Sequence, residues 1–395
     1  KGILPMRKRT GVLGWLLVGL LCIMAAGCSG PVQAPVSESQ RIIQEQTENM
    51  EETEHRPVVI ETEPKPETEA QEPVKGNVIQ QRTETDGMIH SYLTGELVPA
   101  EQGKRRPLAV MMSNDRAALP QYGLNRAGVI YEVPVEAGMN RYMALIENFD
   151  DLERIGSVRS CRTYYVYFAR EFDGIYAHFG QSTFAKPYLK YIDNINGIDG
   201  TGGTAFYRSG DRKKPHNAYT SAAGIQKAVQ KLGYSWDYSE DYQGHFRFTA
   251  PGTAAVLEGA DARDAWKVTP GYELNQPWFE YHEDDGLYYR YQYGGPHMGD
   301  GGPIAVRNII IQYCPSGFYA STEYLNINVH DDSWGYFITG GKAEDITWKK
   351  DGEFGITHYY DASGNEIVLT PGKTWICVVP TRNMKPALIE GRDAG

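Results

Sequence analysis

The stretch from Ser29 to Ile89 contains no aromatic residue and is rich in Glu, Thr, Pro and Gln. Residues 31–90 carry 13 acidic and 5 basic side chains, a net charge of −8. Such a segment cannot bury enough apolar surface to fold alone, and its prolines and mutual repulsion keep it extended. We therefore predict a disordered acidic tether over residues 28–90, which acts as a spacer or, alternatively, binds a basic partner. A packed core is then confined to the residues that follow.

The residues before the tether have the pattern of an export signal. A basic cluster, Arg7-Lys8-Arg9, precedes an apolar run over residues 11–26, which is shorter than the roughly 20 residues that span a bilayer as a helix. The run ends in Ala25-Ala26-Gly27-Cys28, which resembles a bacterial lipobox with alanine where leucine is usual. The resemblance implies a signal peptide over residues 1–27 and a lipid on Cys28, and the alternative is an ordinary signal peptide with an incidental cysteine. Either interpretation places the mature protein outside the cytoplasm, and the first anchors it to the outer face of the cytoplasmic membrane.

The overall charge and the cysteines exclude some classes of function. The net charge is −11, to which the first 30 residues contribute +4 and residues 31–90 contribute −8, leaving −7 for the remainder. A fold with this charge is not expected to bind nucleic acid over its surface. Cys161, Cys314 and Cys377 lie in the folded part at wide spacing and without a CxxC pair. They are predicted to be buried apolar residues and no zinc site, with one disulfide among them as an open alternative.

Residues 91–245 alternate between the patterns of strands and helices. A buried strand is predicted from Arg106 to Met112, and a β-hairpin from Val129 to Glu147. With the helices that follow, the pattern predicts an α/β or α+β domain with a mixed sheet.

Two glutamates of the hairpin are candidates for a binding site. Alternation along the first strand places Glu132 and Glu136 on one face, with Glu136 close to Arg141 across the turn. The arrangement predicts a cross-strand ion pair or, alternatively, a role for either glutamate in a site.

Arginine, aromatic and histidine side chains are concentrated in residues 155–182. A helix is predicted from about residue 160, which places Arg159 and Arg162 on one side of its first turn. Positive side chains do not complement the positive end of the helix dipole, so an anion is expected between them, from the protein or from a ligand. A strand with His178 follows and ends in Gly-Gln-Ser182, a usual place for a binding site in an α/β protein. Ser182 is also predicted to cap the next helix.

A second polar group precedes a later predicted helix. His216 and Asn217 lie shortly before the cap of that helix, at Thr220 or Ser221, and the N-terminus of a helix attracts anions. A local cap is the simpler interpretation of the pair. We predict a candidate anion-binding cleft, with internal ion pairs of the arginines as the alternative. Its predicted members are Arg159, Arg162, His178, Ser182, Arg208, His216, Asn217, Glu132, Glu136 and Arg141.

Residues 246–388 show short strand patterns separated by turn residues. Examples are Trp278–Tyr281, Leu287–Tyr291, Ile367–Leu369 and Trp375–Val379. The pattern predicts a mostly antiparallel β domain. His297, Asp300 and the run His330-Asp331-Asp332 contain metal-binding residue types, but their spacing matches no helical or EF-hand site. No metal or cofactor is therefore predicted.

Several blocks of the sequence resemble a known family. They are RPLAVMMSND from Arg106, PQYGL from Pro120, VIYEVPVEAGMNRYMALIEN from Val129, IGSVRSCRTY from Ile155, IYAHFGQS from Ile175, PHNAYT from Pro215 and GKTWICVVP from Gly372. In these blocks the chain resembles the YerB-like lipoproteins of Gram-positive bacteria, which consist of an N-terminal and a C-terminal domain of unknown function. The resemblance implies the same two-part layout and an extracytoplasmic location, and it supplies no catalytic residues.

Two functions are compatible with the sequence. The first is a non-catalytic binding or regulatory protein of the cell envelope near peptidoglycan synthesis, with wall-synthesis proteins or wall glycan as partners. The second is an enzyme that acts on a polyprenyl-pyrophosphate-linked glycan, because the order of elements loosely resembles the LytR-CpsA-Psr phosphotransferases. In that case Arg159 and Arg162 would hold pyrophosphate, and Glu132 would hold a metal or act as a base. The sequence contains no catalytic signature, so it leaves open whether the protein is an enzyme.

Overall fold

Strands make up most of the fold in a computed structural model, which describes residues 79, 82–259, 261–382 and 385–392. The predicted signal peptide, Cys28 and most of the predicted tether lie outside these residues. The described part contains four α-helices: α1 Ala100–Gly103, α2 Thr163–Arg170, α3 Gly200–Gly203 and α4 Ala222–Leu232. Short 3-10 turns occupy Arg116–Ala118, Leu124–Arg126, Glu136–Gly138 and Lys186–Tyr191.

The strands fall into two groups along the chain. The first ten are β1 Met88–His90, β2 Leu97–Pro99, β3 Leu108–Ser113, β4 Val129–Pro134, β5 Asn140–Ile146, β6 Ile155–Gly156, β7 Ile175–His178, β8 Asn194–Asn196, β9 Phe206–Arg208 and β10 Ala218–Thr220. The remaining sixteen are β11 Arg263–Asp264, β12 Lys267–Thr269, β13 Trp278–His282, β14 Leu287–Gln292, β15 Gly295–Pro296, β16 Met298–Gly299, β17 Gly302–Pro303, β18 Ala305–Val306, β19 Asn308–Cys314, β20 Ser316–Phe318, β21 Leu325–Ile327, β22 Ser333–Thr339, β23 Lys342–Lys350, β24 Thr357–Tyr360, β25 Thr374–Pro380 and β26 Leu388–Glu390.

An eleven-stranded sheet forms the centre of the described residues. Its strand order is β11-β23-β22-β19-β25-β4-β5-β3-β7-β8, and β24 pairs with β23. In the N-terminal group, β5 is antiparallel to β4 and β3, whereas β7 is parallel to β3 and β8. Most pairs in the C-terminal group are antiparallel. The fold class is therefore the predicted one, a mixed sheet with helices followed by mostly antiparallel strands.

The two predicted parts of the chain meet within this sheet. Strand β25 runs parallel to β4, with Thr374 opposite Val129 and Cys377 opposite Glu132. The described residues belong to one compact unit. The boundary between 91–245 and 246–388 thus stays a prediction about the chain, and the central sheet continues across it.

Both faces of the sheet are covered. Helix α4 packs on one face through Ile225, Ala228 and Val229, in the same apolar cluster as a second, antiparallel sheet of β15-β14-β13-β12-β26 and β18. Helix α2 packs on the other face. All six residues of β3 are buried, because alternate side chains face the two layers. Burial on both faces explains why the residues of β3 form a nearly continuous apolar run.

Some local boundaries differ from the predictions. Helix α2 begins at Thr163 and not near residue 160, because Arg162 has extended backbone angles. The folded part begins before residue 91, since β1 pairs with β2 and buries Ile89. The predicted strand Ile367–Leu369 forms only one isolated bridge, between Leu369 and Phe248. The C-terminal end of α4 is as predicted, with Gly233 in the left-handed conformation.

The structure also describes the three cysteines of the folded part and the lengths of the helices. Cys161, Cys314 and Cys377 are buried and free, which confirms their predicted burial. Within residues 82–259, 261–382 and 385–392, no helix combines the length and apolarity needed to cross a membrane.

Candidate functional site

A short segment, Ser157–Cys161, inserts between the carboxyl ends of β3 and β7, and we call it the wedge segment. The two strands pair in parallel over three residues and then diverge. Beyond that point, the backbone N–H of Arg159 donates to the carbonyl oxygen of Met111 at 3.0 Å, and its carbonyl oxygen accepts from Phe179 at 3.0 Å. Open α/β sheets place ligands in crevices outside the carboxyl ends of such strands. The wedge segment therefore places Arg159 at an edge suited to binding.

Four arginines gather around the wedge segment, and we call them the arginine cluster: Arg141, Arg159, Arg162 and Arg208. Nη1 of Arg141, from β5, donates to the carbonyl oxygen of Ser160 at 2.5 Å. Arg208, from β9, lies with its guanidinium carbon 4.6 Å from the ring centre of Phe179.

Neighbouring guanidinium groups lower the pKa of two of these arginines, Arg141 and Arg159, in addition to the effect of burial. Burial lowers the pKa of Arg141 to about 10, and the charges of Arg162 and Arg159 act in the same direction. Burial also lowers the pKa of Arg159, assisted by Arg162 and Arg208 and opposed by the carboxylate of Asp115. Arginine side chains in proteins stay protonated far above neutral pH. The cluster is thus a region of concentrated positive charge.

One member of the cluster is neutralised by a carboxylate. Nε of Arg162 donates to Oε1 of Glu136 at 2.7 Å, and a second bond joins its Nη2 to Oε2. Burial would raise the pKa of Glu136, but the hydrogen bonds and charge of Arg162 outweigh burial and lower it. The predicted Glu136–Arg141 pair is not the one formed. Arg141 lies opposite Val133, whereas Glu136 sits in the turn beyond the end of β4.

Arg159, like Arg141 and Arg208, donates a single hydrogen bond to the described residues. Its Nη1 donates to the carbonyl oxygen of Pro215 at 3.0 Å. Among the described residues, no carboxylate oxygen lies within the 4.0 Å of an ion pair from its guanidinium nitrogens. The side chain is partly exposed. Its remaining N–H groups are therefore available to a ligand.

The second polar group predicted from the sequence borders the same region. Nε2 of His216 is 3.7 Å from Oδ1 of Asp115. Burial lowers the pKa of His216, and Arg159 contributes to that lowering while Asp115 opposes it. Oδ1 of Asn217 accepts a hydrogen bond of 2.8 Å from Arg208. His216 and Asn217 thus line the cluster, with Asn217 orienting one arginine.

The helix N-terminus does not take part in this arrangement. Strand β10, Ala218–Thr220, separates Asn217 from α4 and pairs with β9. The side chain of Ser221 caps α4 by accepting from the backbone N–H of Gly224 at 3.2 Å. The sequence suggested that the helix dipole would assist an anion here; the intervening strand moves the helix start away.

Two other residues predicted for the site, His178 and Ser182, are buried in the protein. The ring nitrogens of His178 lie 2.8 Å from the carbonyl oxygen of Gly180 and 3.2 Å from Oδ1 of Asn194, and burial lowers the pKa of this histidine. Ser182 is buried, and its hydroxyl accepts from the backbone N–H of Ala185 at 3.1 Å. Both side chains support the loop after β7 and offer little surface to a ligand.

Glu132 belongs to a separate, buried network. Both of its carboxylate oxygens accept from Nη2 of Arg290 at 2.9 Å, and neither side chain is exposed. Further donors to the carboxylate are the side chains of Asn140, Asn275 and Trp375. The sequence analysis missed Arg290, although a charged residue at an inward position of the alternating strand β14 was a usable signal. In the described residues, no group of three or more His, Cys, Asp or Glu side chains is arranged to hold a metal ion.

The comparisons with known proteins assign the chain to a family. A family described as a protein of unknown function (DUF3048) matches in two parts, its N-terminal domain at residues 93–235 and its C-terminal domain at residues 268–376. The chain belongs to the DUF3048 family. The arginine cluster lies within the N-terminal DUF3048 match.

A curated relative and a solved structure support this assignment. The chain is 30% identical over 306 residues to the putative lipoprotein YerB of Bacillus subtilis (strain 168), which covers 75% of this chain and 88% of that protein. The crystal structure of the YerB protein from Bacillus subtilis matches with a TM-score of 0.65 at 28% identity, covering 76% of this chain and 99% of that chain. The predicted resemblance to YerB-like proteins is thereby confirmed.

Proposed function

We propose that this DUF3048 protein is a lipid-anchored, extracytoplasmic binding protein whose arginine cluster holds a phosphate-bearing component of the cell envelope. It acts without catalysis at the outer face of the cytoplasmic membrane, near peptidoglycan synthesis, with wall-synthesis proteins or wall glycan as partners. The observation that carries the proposal is Arg159, which lies near Arg162 and Arg208 and whose one hydrogen bond within the described residues goes to a backbone carbonyl oxygen.

The charge balance of the site supports an anionic ligand. The four guanidinium groups share two neighbouring carboxylates, those of Glu136 and Asp115, and burial lowers the pKa of His216. An unpaired guanidinium in a partly buried site gains from a phosphate, because its planar N–H groups match two phosphate oxygens at once. A phosphate monoester, diester or pyrophosphate would offset the charge that the protein leaves uncompensated.

The arrangement of carboxylates favours binding over phosphoryl transfer. The phosphotransferase hypothesis assigned metal binding or base catalysis to Glu132, whose carboxylate is buried against Arg290. Glu136 is engaged by Arg162. Neither is free to activate a nucleophile beside Arg159, so Glu132 does not fit the role that the phosphotransferase hypothesis gave it.

The substitution Arg159→Gln tests the proposed ligand class. With inorganic pyrophosphate as the probe, titration calorimetry on the mature chain should show binding by the wild type and a loss of about tenfold or more in the variant. The loss is expected because a neutral amide replaces a guanidinium that can form a charge-assisted, bidentate contact with phosphate.

A matched control is Lys227→Gln, which removes one exposed positive charge from α4. It should leave pyrophosphate binding unchanged. Equal affinity of the wild type and Arg159→Gln would refute the proposed site.

The anchor is tested separately by Cys28→Ser in cells that express the whole chain. The lipobox and the putative lipoprotein name of the YerB relative support a lipid on this cysteine. The wild type should fractionate with membranes. The variant should lose most of that association, because it lacks the cysteine to which the lipid would be attached. Cys22→Ser, in the apolar run, serves as the control and should behave as the wild type. Unchanged membrane association of Cys28→Ser would exclude lipid anchoring at that residue.

A further inference from the structure

A cavity of about 670 Å³ lies beside strands β22 and β23, far along the sheet order from the arginine cluster. It is covered by the loop of residues 255–259 and by residues 361–368. Apolar side chains form part of its wall: Val256, Leu257, Phe337 and Ile367. Its volume is in the range of small-molecule sites.

Glu344 faces this cavity without a hydrogen-bond donor. It lies in β23 opposite Phe337, and the residue is 9% exposed. Within the described residues its carboxylate accepts no hydrogen bond and forms no ion pair. The backbone of Gly259 passes close to its Oε2, since a Cβ built on that glycine would lie 3.8 Å away. Its carboxylate oxygens are not among the fully buried polar atoms that lack a partner, so they are open to the cavity and can contact a ligand there.

Two neighbouring carboxylates of the lining already have basic partners. Asp345 pairs with Arg263 at 2.8 Å, and Glu366 lies 2.6 Å from Nδ1 of His358. Within the described residues, neither of these basic side chains forms an ion pair with Glu344.

The other two acids close to Glu344 have only amide donors. Oδ2 of Asp261 accepts from the backbone N–H of Asp345 at 2.6 Å, and Oδ1 of Asp361 accepts from the backbone N–H of Ser363 at 2.8 Å. Burial raises the pKa of Glu344 to about 7, and the charges of Asp261 and Asp361 act in the same direction. A positive group placed among these three carboxylates would relieve both the burial and the repulsion.

We infer that this cavity binds an alkylammonium group, with the charge at Glu344 and the carbon chain against Phe337 and Ile367. The apolar wall and the volume favour an organic cation over a metal ion, and no metal-binding arrangement of acids is present in the described residues. The same chemistry is available from a free amine or from a lysine side chain of a peptide. This site is independent of the proposed phosphate site.

Hexylammonium is the probe for the site, with ¹H–¹⁵N NMR on the mature chain at pH 8. We expect shifts at residues 255–259 and 344 and a dissociation constant on the order of 1 mM, the range for a ligand of so few atoms. Glu344→Gln should weaken binding at least tenfold while keeping the fold, since it removes an uncompensated charge. Nα-acetyl-lysine amide, which keeps a free ε-ammonium, distinguishes a peptide lysine from a free amine. A site that accepts peptide lysines should bind it as tightly as hexylammonium, whereas a site for free amines alone should bind it more weakly.

Two controls test whether binding depends on the carboxylate of Glu344 and on the charge of the ligand. Glu323→Gln removes an exposed carboxylate elsewhere and should leave hexylammonium binding unchanged. Hexan-1-ol, which has the same chain without the charge, should bind at least tenfold more weakly than hexylammonium. Equal binding of the alcohol, equal binding by Glu344→Gln, or absence of shifts at the cavity would each overturn the assignment.

Discussion

Replacing Arg290 by methionine should lower the free energy of unfolding by about 3–5 kcal/mol. The substitution keeps most of the side-chain volume and removes the guanidinium that donates to both carboxylate oxygens of Glu132. Glu132 is completely buried, so its charge cannot turn to water when the partner is lost. Urea unfolding followed by far-UV circular dichroism measures the change.

A surface ion pair provides the control for this experiment. Arg126 pairs with Asp151 at exposed fractions of 36% and 66%, and Arg126→Met should cost less than about 1 kcal/mol. The double variant Glu132→Gln with Arg290→Met should be more stable than Arg290→Met alone, because the uncompensated charge is gone. A cost below about 1 kcal/mol for Arg290→Met would show that the buried pair does not hold the network together.

Acidification should destabilise the fold through a histidine of the same network. Nδ1 of His297 accepts a hydrogen bond of 2.8 Å from Nη1 of Arg290, and its Nε2 donates to Oε1 of Gln121 at 2.9 Å. Burial lowers the pKa of His297 well below its usual value, and the charge of Arg290 lowers it further. The folded protein therefore keeps this ring neutral at a pH at which the unfolded chain protonates it.

The sign of the effect follows from proton uptake. Below about pH 6.5 the unfolded chain binds a proton at His297 that the folded protein does not bind, so stability is lost as the pH falls. The contribution is fully present above that pH and decreases by up to about 1.4 kcal/mol per pH unit below it. Unfolding free energies measured between pH 7 and pH 5 should show this slope on top of the contributions of other groups.

The variant His297→Gln isolates the contribution of this residue. It should be less stable than the wild type at pH 7, and its stability should fall less steeply toward pH 5 by about 1.4 kcal/mol per pH unit. The buried histidines His178 and His245, whose pKa values are also lowered by burial, contribute equally to both proteins and cancel in the comparison. Parallel pH profiles for the two proteins would mean that His297 titrates normally in the fold.

Local signals in the sequence predicted the elements that depend on near neighbours. The hairpin of β4 and β5 followed from alternation and a turn, and α4 followed from its apolar face and its cap at Ser221. The start of α2 was placed too early because arginines in an extended segment carry no signal that separates them from a first helical turn. Burial on both faces made β3 recognisable, since such a strand has no polar side.

The pairing of charges could not be predicted in the same way. The partner of Glu132 is 158 positions away, on a strand of a different sheet. Glu136 pairs with Arg162 and not with the nearer Arg141, because the register of the hairpin moves Arg141 opposite Val133. Such pairs depend on long-range strand order, which a single sequence does not encode locally. The proximity of Arg159 and Arg162 was easier to anticipate, since they are three positions apart, whereas Arg208 joins them through β9, which lies in one sheet with β6.

The position of β25 also decides when the protein can be complete. This strand lies between β19 and β4, yet it is made from residues 374–380, more than 200 positions after β4. A chain that emerges from its amino end must therefore hold β4 with one unpaired edge until β25 has appeared. An open edge of this kind is a template for association with other chains. Arrival of β25 closes this edge, so the central sheet cannot be completed before residues 374–380 have been made.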